Sequence, residues 1–385
     1  MGNPPGRLTQ FDEWPRHQTA RTFDSVASDS PHWSDGYYFT LGDSNSGITL
    51  FSGLRLYPNT DVMDAYVCVV VDGQQHNVRW SRRLRPRNDE LTVGPFSVDI
   101  LEPLRVLRTG CEPNDYGVSF DLLWTAVREP YLEDQLERWS GGRLVYQRCN
   151  YDQVCAVQGQ ITVGDRVIEV SGPSWVGVRD HSWGLGRTGG PNSPSIAPDG
   201  NDDPRRSFAV RQWTMLSMPD RVLFWQLHQR HDGSFSQFEA RVLPLDGSPV
   251  WDYLDATFDY QRVGEHSRLA SSTVSFLRPD GGTDRYRIDP VGQPAYLQGG
   301  GYHEGFDDGL GRGVYRGEDH SEADVWDVTH PVNVVDPRGV FRPRKDAWAE
   351  QYAWCTNLDD PHDTGFGHLE CVITPPDQVA RDLQV

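Results

Sequence analysis

A dense group of chemically capable residues lies near the middle of the chain, in the segment Trp175-Val-Gly-Val-Arg-Asp-His-Ser-Trp-Gly-Leu-Gly-Arg187. It combines two tryptophans, a carboxylic acid, a histidine and two arginines within thirteen residues. Burying charged groups is costly unless they are paired. An apolar environment also shifts carboxyl and imidazole pKa values toward those useful for proton transfer. The segment is therefore the first candidate for a catalytic site.

Strand geometry determines which of these side chains could act together. If the segment is extended, Arg179, His181 and Trp183 point to one side of the strand. Asp180 points to the other side and cannot pair with its neighbour His181, so Asp-His-Ser is not a catalytic triad, which needs side chains that converge. The nearby run from Gly172 to Gly177 has one residue too many for the Gly-x-Ser-x-Gly nucleophile elbow. A serine hydrolase is not predicted.

Two interpretations of the motif remain open. In the first, His181 and Trp183 face a ligand cavity, where the indole would stabilise a developing carbocation. A nearby acid would then start hydration, cyclisation or isomerisation. In the second, Arg179, Asp180 and Arg187 form a buried ion network between two domains, and the tryptophans belong to the ordinary core.

Further candidates lie in the second half of the chain. Glu370 and His368 fall on one face if their segment is a strand, and would then form an acid-base pair; a capped edge strand is the alternative. Tyr302 lies in a glycine-rich tract and would either cover a cavity or belong to a solvated loop. No metal-ligand spacing or dinucleotide fingerprint stands out. Neither a metal nor an organic cofactor is predicted.

The composition restricts the partners. With 55 acidic and 36 basic residues, the formal net charge of -19 argues against nucleic acid and anionic membranes. Lys345 is the only lysine, which argues against Schiff-base and P-loop chemistry. The N-terminal residues lack the apolar core of a signal peptide, and no run approaches a membrane span. We therefore expect a cytoplasmic protein without an integral membrane segment, for which a homodimer is one allowed assembly.

Short stretches rich in β-branched and aromatic residues, separated by Gly, Pro, Asn and Asp turns, recur along the chain. This pattern predicts an all-β protein of antiparallel barrels or sandwiches. The predicted strands include residues 37–41, 48–56, 65–71, 118–124, 160–163, 222–227 and 271–276. One helix is predicted, at residues 129–139, from a proline near its start and the spacing of Leu132 and Leu136.

The length of 385 residues suggests two domains. A similar pair of apolar strands joined by a short turn occurs near the start of each half, at residues 37–57 and 208–228. This similarity favours a duplicated architecture with its boundary near Pro173. Residues 1–172 would form one β domain, and residues 173–385 would form a second that carries the Arg-Asp-His-Ser-Trp-Gly motif. Irregular loops are predicted at residues 189–206 and 299–313.

The motif Trp-x-Gly-x-Arg-Asp-His-Ser-Trp-Gly resembles the Asp-His-x-Trp-Gly signature of the tandem-lipocalin proteins. This superfamily includes carotenoid 1,2-hydratases, AttH-like proteins and fungal pericyclases. The segment Gly365-Phe-Gly-His-Leu-Glu370 resembles the last-strand Gly-x-Gly-x-x-Glu of the AttH-like branch. The resemblance implies two lipocalin-like antiparallel β-barrel or sandwich domains in tandem. The Tyr-x-Asp pair that follows the motif in the hydratases is missing, since this stretch reads Arg206-Ser-Phe-Ala-Val-Arg211, and carotenoid hydration itself is not implied.

Two function classes remain. The first is a cofactor-independent lyase or isomerase acting on an apolar terpenoid-, steroid- or polyketide-like substrate at the domain interface. The second is a non-catalytic carrier of a hydrophobic small molecule, which would have no reason to bury an ionisable group. The residues assigned to catalysis are Asp180, His181 and Glu370, and those assigned to substrate binding are Trp175, Arg179, Trp183, Trp213, Tyr302 and His368.

Overall fold

The computed structural model describes residues 6–140, 142–186, 209–263, 268–302, 305–329, 333–335, 341–343 and 349–373. Within these ranges the regular structure consists of β-strands and of short 3-10 helices at Gln10–Glu13 and Leu297–Gly300, without an α-helix. The stretches predicted as strands all fall in strands, which confirms the all-β prediction.

The first sheet contains sixteen strands. Numbered in chain order, they are β1 (Trp33–Asp43), β2 (Thr49–Tyr57), β3 (Val62–Val71), β4 (Gln74–Arg83), β5 (Thr92–Val93), β6 (Phe96–Glu102), β7 (Val106–Cys111), β8 (Val118–Ala126), β9 (Tyr131–Leu132), β10 (Leu136–Ser140), β11 (Arg143–Val163), β12 (Arg166–Val170), β13 (Trp175–Leu185), β21 (Asp319–Asp327), β22 (Asn333–Val335) and β23 (Phe341–Pro343). Their spatial order is β23-β22-β21-β4-β3-β2-β1-β13-β11-β8-β7-β6-β5, with β9, β10 and β12 paired to β11.

The second sheet contains nine strands. They are β14 (Val210–Ser217), β15 (Arg221–Gln229), β16 (Phe235–Pro244), β17 (Trp251–Asp252), β18 (Asp255–Arg262), β19 (Leu269–Leu277), β20 (Thr283–Tyr296), β24 (Ala349–Asn357) and β25 (Thr364–Ile373). Their spatial order is β17-β16-β15-β14-β25-β24-β20-β19-β18, and all their pairings are antiparallel.

Each sheet packs around an apolar core of its own, and a third core lies between the sheets. Phe39 of β1 belongs to the core of the first sheet, whereas Phe276 of β19 belongs to that of the second. Tyr38, the neighbour of Phe39, points the other way and meets Trp213 of the second sheet in the third core. Strand β3 is buried along its entire length because it contacts apolar groups on both faces.

Strands β13 and β25 occupy equivalent positions in the two sheets, and each is called the closing strand of its sheet. β1 starts a hairpin with β2 and pairs on its other side with β13; β14 starts a hairpin with β15 and pairs on its other side with β25. The motif strand β13, which was predicted to belong to the C-terminal domain, therefore completes the first sheet. β21, from the second half, also joins the first sheet through β4. The boundary at residue 172 stays a prediction.

The predicted helix at residues 129–139 is also wrong. This segment forms β9 and β10, which both pair with β11, because its backbone groups find partners on an adjacent strand. The predicted loop at residues 299–313 begins with the last two residues of the 3-10 helix Leu297–Gly300. The other described residues of this stretch contain neither helix nor strand. The loop predicted at residues 189–206 and Arg187 lie outside the described residues.

Candidate functional site

The two faces of β13 look into different parts of the molecule. Arg179, His181 and Trp183 share the face that carries Trp175, which packs in the core of the first sheet. Asp180 points to the opposite face of β13, which faces the second sheet. The alternation predicted from the sequence is thus present, and His181 and Trp183 lie on the face of β13 that points away from the second sheet; their role as site residues stays a prediction. Trp175 is 7% exposed and acts as a core residue rather than a ligand contact there.

Arg179 and Asp180 do not pair with each other, because they point to opposite faces of β13, and the part of the predicted ion network that involves Arg187 lies outside the described residues. Arg179 is buried on the inner face of the first sheet, where its guanidinium donates a hydrogen bond to the side chain of Gln153. The basic group that interacts electrostatically with Asp180 is Arg148 of β11. Asp180 is 4% exposed, and its Oδ1 atom has no hydrogen-bond partner among the described residues.

A matching row of side chains lies on each sheet where the two sheets face each other. In each row the closing strand contributes an acid, flanked by an aromatic residue on one neighbouring strand and a second acid on the other. The rows are Tyr38, Asp180 and Asp152 on the first sheet, and Trp213, Glu370 and Glu350 on the second. All six are buried, so four carboxyl groups lie in the interior between the sheets.

Asp152 and Glu133 form an acid pair at this interface. Asp152 is fully buried, and Asn150 donates hydrogen bonds to its Oδ1 at 2.9 Å and to Glu133 Oε1 at 2.6 Å. Burial, followed by the charge of Glu133 and a hydrogen bond with it, raises the pKa of Asp152 well above its ordinary value, while Arg148 opposes this shift. This environment favours the protonated form of Asp152 over the carboxylate.

The indole of Trp213 connects this acid pair to a histidine. Its Nε1 donates a hydrogen bond to Glu133 Oε1 at 3.1 Å. Its ring meets that of His368 edge-on, with 4.7 Å between the ring centroids. Two residues that were separately assigned to substrate binding are thus neighbours at the interface, and their binding role stays a prediction.

His368 is fully buried and is held by Glu350, which accepts a hydrogen bond from Nε2. With Nε2 protonated, Nδ1 is an acceptor, and it has no hydrogen-bond partner among the described residues. The sequence predicted that His368 pairs with Glu370, but the acid that contacts His368 is Glu350. Glu370 is instead ion-paired with Arg211 of β14.

Three groups of this site were not identified from the sequence: Glu133, Asp152 and Glu350. Glu133 fell in the segment interpreted as a helix. Asp152 and Glu350 lie on strands whose alternation could have shown an acid on a buried face, but their partners come from distant parts of the chain. Tyr302 packs against the third core: its hydroxyl lies 2.9 Å from that of Tyr66, and the Arg312 guanidinium lies 3.5 Å from its ring centroid. Its role as a lid stays a prediction.

A second acidic group ties the two sheets together at the edge of the interface. Tyr131 of β9 and the nearby Asp134 reach Glu239 of β16: the tyrosine hydroxyl and the Asp134 backbone N–H both donate to its carboxylate. Arg241 lies 3.2 Å from the same carboxylate. Burial, reinforced by the charges of Glu133 and Asp134, raises the pKa of Glu239 to about 8.

This shift predicts a pH-dependent effect of Glu239→Gln on stability. Between the ordinary pKa of 4.5 and about 8, the folded protein holds a proton that the unfolded chain has released. The stabilisation from this proton is complete below pH 4.5 and is lost as the pH rises toward 8. The amide of the variant cannot ionise, so the variant does not lose this stabilisation. The difference in melting temperature, variant minus wild type, should therefore increase by several degrees between pH 5 and pH 9.

The exposed acid Glu102 provides the control for this measurement. Its side chain is 57% exposed and pairs only with the exposed Arg105, so Glu102→Gln should show a small difference that does not grow with pH. A constant difference between Glu239→Gln and wild type across this range would contradict the buried, protonated state of Glu239.

Other features of the surface offer less for catalysis. A cleft of about 370 Å³ lies over β6, β7 and β8, but it is polar and contains the exposed ion pair of Arg108 and Asp121. Among the described residues, no group of three His, Cys, Asp or Glu side chains is arranged to hold a metal ion. The six cysteines are all unpaired.

No helix in the described ranges is long and apolar enough to cross a membrane. The cytoplasmic location and the homodimer stay predictions.

Comparisons with known proteins agree with the fold. A profile described as a family of unknown function (DUF8625) matches residues 8–337. No curated protein matches the chain. The structure of an AttH-like protein, NE1406 from Nitrosomonas europaea, aligns with a TM-score of 0.53 and 13% identity, over 96% of this chain and 99% of that one.

Two further structures give lower scores. Kievitone hydratase from Nectria haematococca aligns at a TM-score of 0.49 and 10% identity, over 97% of this chain and 98% of that one. CghA aligns at 0.48 and 10% identity, over 90% and 89%. The similarity to the AttH-like protein establishes the fold, and the tandem-lipocalin architecture implied by the motif is confirmed. At this level of identity it does not establish the activity.

Proposed function

The chain belongs to this family of unknown function, and from the groups buried between its sheets we propose that it is a hydratase, dehydratase or cyclase. The observation that carries the proposal is the position of Trp213, whose indole lies between the Asp152–Glu133 acid pair and His368, which has a ring nitrogen without a hydrogen-bond partner among the described residues. A carrier of a neutral lipid has no reason to bury such groups. Acid-base catalysis is therefore favoured over transport.

Asp152 is the proposed general acid. Burial beside Glu133 favours its protonated form, and Asn150 fixes the orientation of its carboxyl group. Transfer of this proton to a carbon–carbon double bond would produce a carbocation. Transfer to a hydroxyl group would release water and lead to the same kind of intermediate. Either step begins the reaction without an organic cofactor, because the acid is a side chain.

Trp213 would stabilise the positive charge that develops. The face of an indole attracts a cation most strongly where water is excluded, and Trp213 is 5% exposed. The third core, to which Trp213 belongs, also contains Phe51 from the first sheet and Met215 and Phe224 from the second. These surroundings suit an apolar terpenoid-, steroid- or polyketide-like substrate.

His368 is the proposed general base. Its Nδ1 would take a proton from the attacking water in a hydration, or from a neighbouring carbon in a dehydration, cyclisation or isomerisation. Glu350 holds the ring through Nε2 and would stabilise the imidazolium that forms. Acid and base lie on different sheets, so the assembled interface is needed for both steps.

The test of this proposal does not require that the substrate be identified first. Purified protein is incubated with an organic extract of cells that lack it, and the compounds are followed by liquid chromatography and mass spectrometry. We expect one compound to be consumed and a product to appear that either differs by one water or has the same mass. Asp152→Asn keeps the size of the side chain but cannot donate the proton, and should slow the conversion by about 10²–10⁴-fold.

Asp115→Asn is the matched control, since Asp115 is exposed on a turn, and it should convert the compound at the wild-type rate. A compound that binds and is recovered unchanged from wild type would identify a carrier instead. Equal rates for wild type and Asp152→Asn would remove Asp152 from the mechanism.

A further inference from the structure

A second group of interacting polar residues lies on the opposite face of the motif strand, inside the first sheet. His181 of β13 lies between two residues of the adjacent strands, Asp35 of β1 and Tyr151 of β11. Its Nε2 is 2.7 Å from Asp35 Oδ1, and its Nδ1 is 3.2 Å from the Tyr151 hydroxyl oxygen. The three side chains therefore form a continuous carboxylate–imidazole–hydroxyl relay.

The direction of proton transfer follows from the hydrogen bonds. The Asp35 carboxylate can only accept, so it takes the Nε2–H and leaves Nδ1 as the acceptor for the Tyr151 hydroxyl proton. This is the arrangement by which a base, oriented by an acid, activates a hydroxyl nucleophile. The adjacent Asp-His-Ser in the sequence is not such a triad, but the fold assembles a comparable set from three strands.

Arg179 supplies a positive charge beside the hydroxyl. Its Nη1 atom lies 3.5 Å from the Tyr151 hydroxyl oxygen, and its guanidinium lies 5.3 Å from the centroid of the tyrosine ring. A second bond of the guanidinium to Gln153 fixes its position.

The relay is accessible and has flat aromatic neighbours. The side chain of His181 is 21% exposed and that of Asp35 is 49% exposed, in contrast to the fully buried His368. The ring centroid of His181 lies 4.4 Å from that of Tyr37 and 5.3 Å from that of Trp183. The exposed Asp35 carboxylate disfavours an anionic ligand.

We propose that this face of the first sheet is a second reactive site, in which Tyr151 is a nucleophile toward small, flat, uncharged acyl esters. The tyrosine oxygen bonds to the acyl carbon, its proton moves to His181 Nδ1, and the bond from the acyl carbon to the ester oxygen breaks. The departing oxygen takes the proton back from the imidazolium. Water then adds to the acyl-tyrosine, releases the carboxylic acid and restores the hydroxyl. This activity is independent of the acid-base site between the sheets.

The experiment uses p-nitrophenyl acetate and the full chain. Wild type should release nitrophenolate in a rapid phase that approaches one equivalent, and peptide mass spectrometry should find the acetyl group on Tyr151. Tyr151→Phe should abolish the rapid phase. His181→Gln should slow it by about 10²–10⁴-fold. Circular dichroism and thermal melting of each variant establish that it is folded.

The chain provides good internal controls. Lys345 is its only lysine, so acetylation of side-chain amines is confined to one position. Tyr315 and Tyr116 are 51% and 37% exposed, and their hydroxyls bond to Glu318 and Ser321 rather than to a histidine, so Tyr315→Phe should leave the rapid phase unchanged. Acetylation of Tyr315 or Tyr116 as fast as Tyr151, or a rapid phase that survives in Tyr151→Phe, would overturn the proposal.

Discussion

Replacement of Arg211 by leucine should destabilise the protein by roughly 3–5 kcal/mol, because Glu370 would remain as a buried acid without its ion-pair partner. Arg211 and Glu370 are each 5% exposed, and Glu370 is directly opposite a second acid, Glu350, on the neighbouring strand. The loss should appear as a decrease of roughly 5–15 °C in the melting temperature.

A double variant and a surface variant make this measurement specific. In Arg211→Leu/Glu370→Leu both charges are removed, and most of the stability should return, since an apolar pair often replaces a buried ion pair without loss. Arg285 pairs with Asp359 on the surface, where both side chains are 51% exposed, so Arg285→Leu should cost no more than about 1 kcal/mol. If Arg211→Leu costs as little as Arg285→Leu, the buried pair does not contribute to stability.

The second large effect concerns turnover. With the compound identified by the extract experiment as substrate, His368→Gln should lower the rate constant by about 10²–10⁴-fold, because the amide can donate to Glu350 but cannot act as a base. Glu350→Gln should cause a smaller loss together with a displaced pH profile, since Glu350 positions the imidazole and stabilises its charged form.

His228 of β15 is the control for this prediction. It lies on the same sheet, and burial together with the charges of Arg211 and Arg138 lowers its pKa to about 3. It is therefore neutral at the working pH, and His228→Gln should retain nearly the full rate. Full activity of a folded His368→Gln would show that the base is another group.

The local chemistry of the chain was predictable because it depends on neighbouring residues. The alternation of apolar and polar residues predicted the strands, and it also separated Arg179 and His181 from Asp180 on β13. The signature around these residues indicated the tandem-lipocalin fold. Trp213 and His368 were also selected as candidate site residues, although the residues that contact them were not.

The membership of strands in sheets could not be read from the sequence, because pairing joins segments that are far apart in the chain. The motif was predicted to open the second half, but β13 pairs with β1 and β11 and completes the first sheet. That pairing decided which face of the motif meets the second sheet. The segment at residues 129–139 likewise has a helical spacing of apolar residues, but pairing with β11 overrides this local preference.

The chemistry of each candidate site likewise depends on the tertiary structure. The pKa of Asp152 is raised only because folding removes its carboxyl group from water and places it beside Glu133. His181 gains its relay only because β1 and β11 bring Asp35 and Tyr151 to either side of it. The sequence by itself determined which residues could transfer protons; burial and long-range strand pairing determined which of them meet, because both depend on the packing of the whole chain.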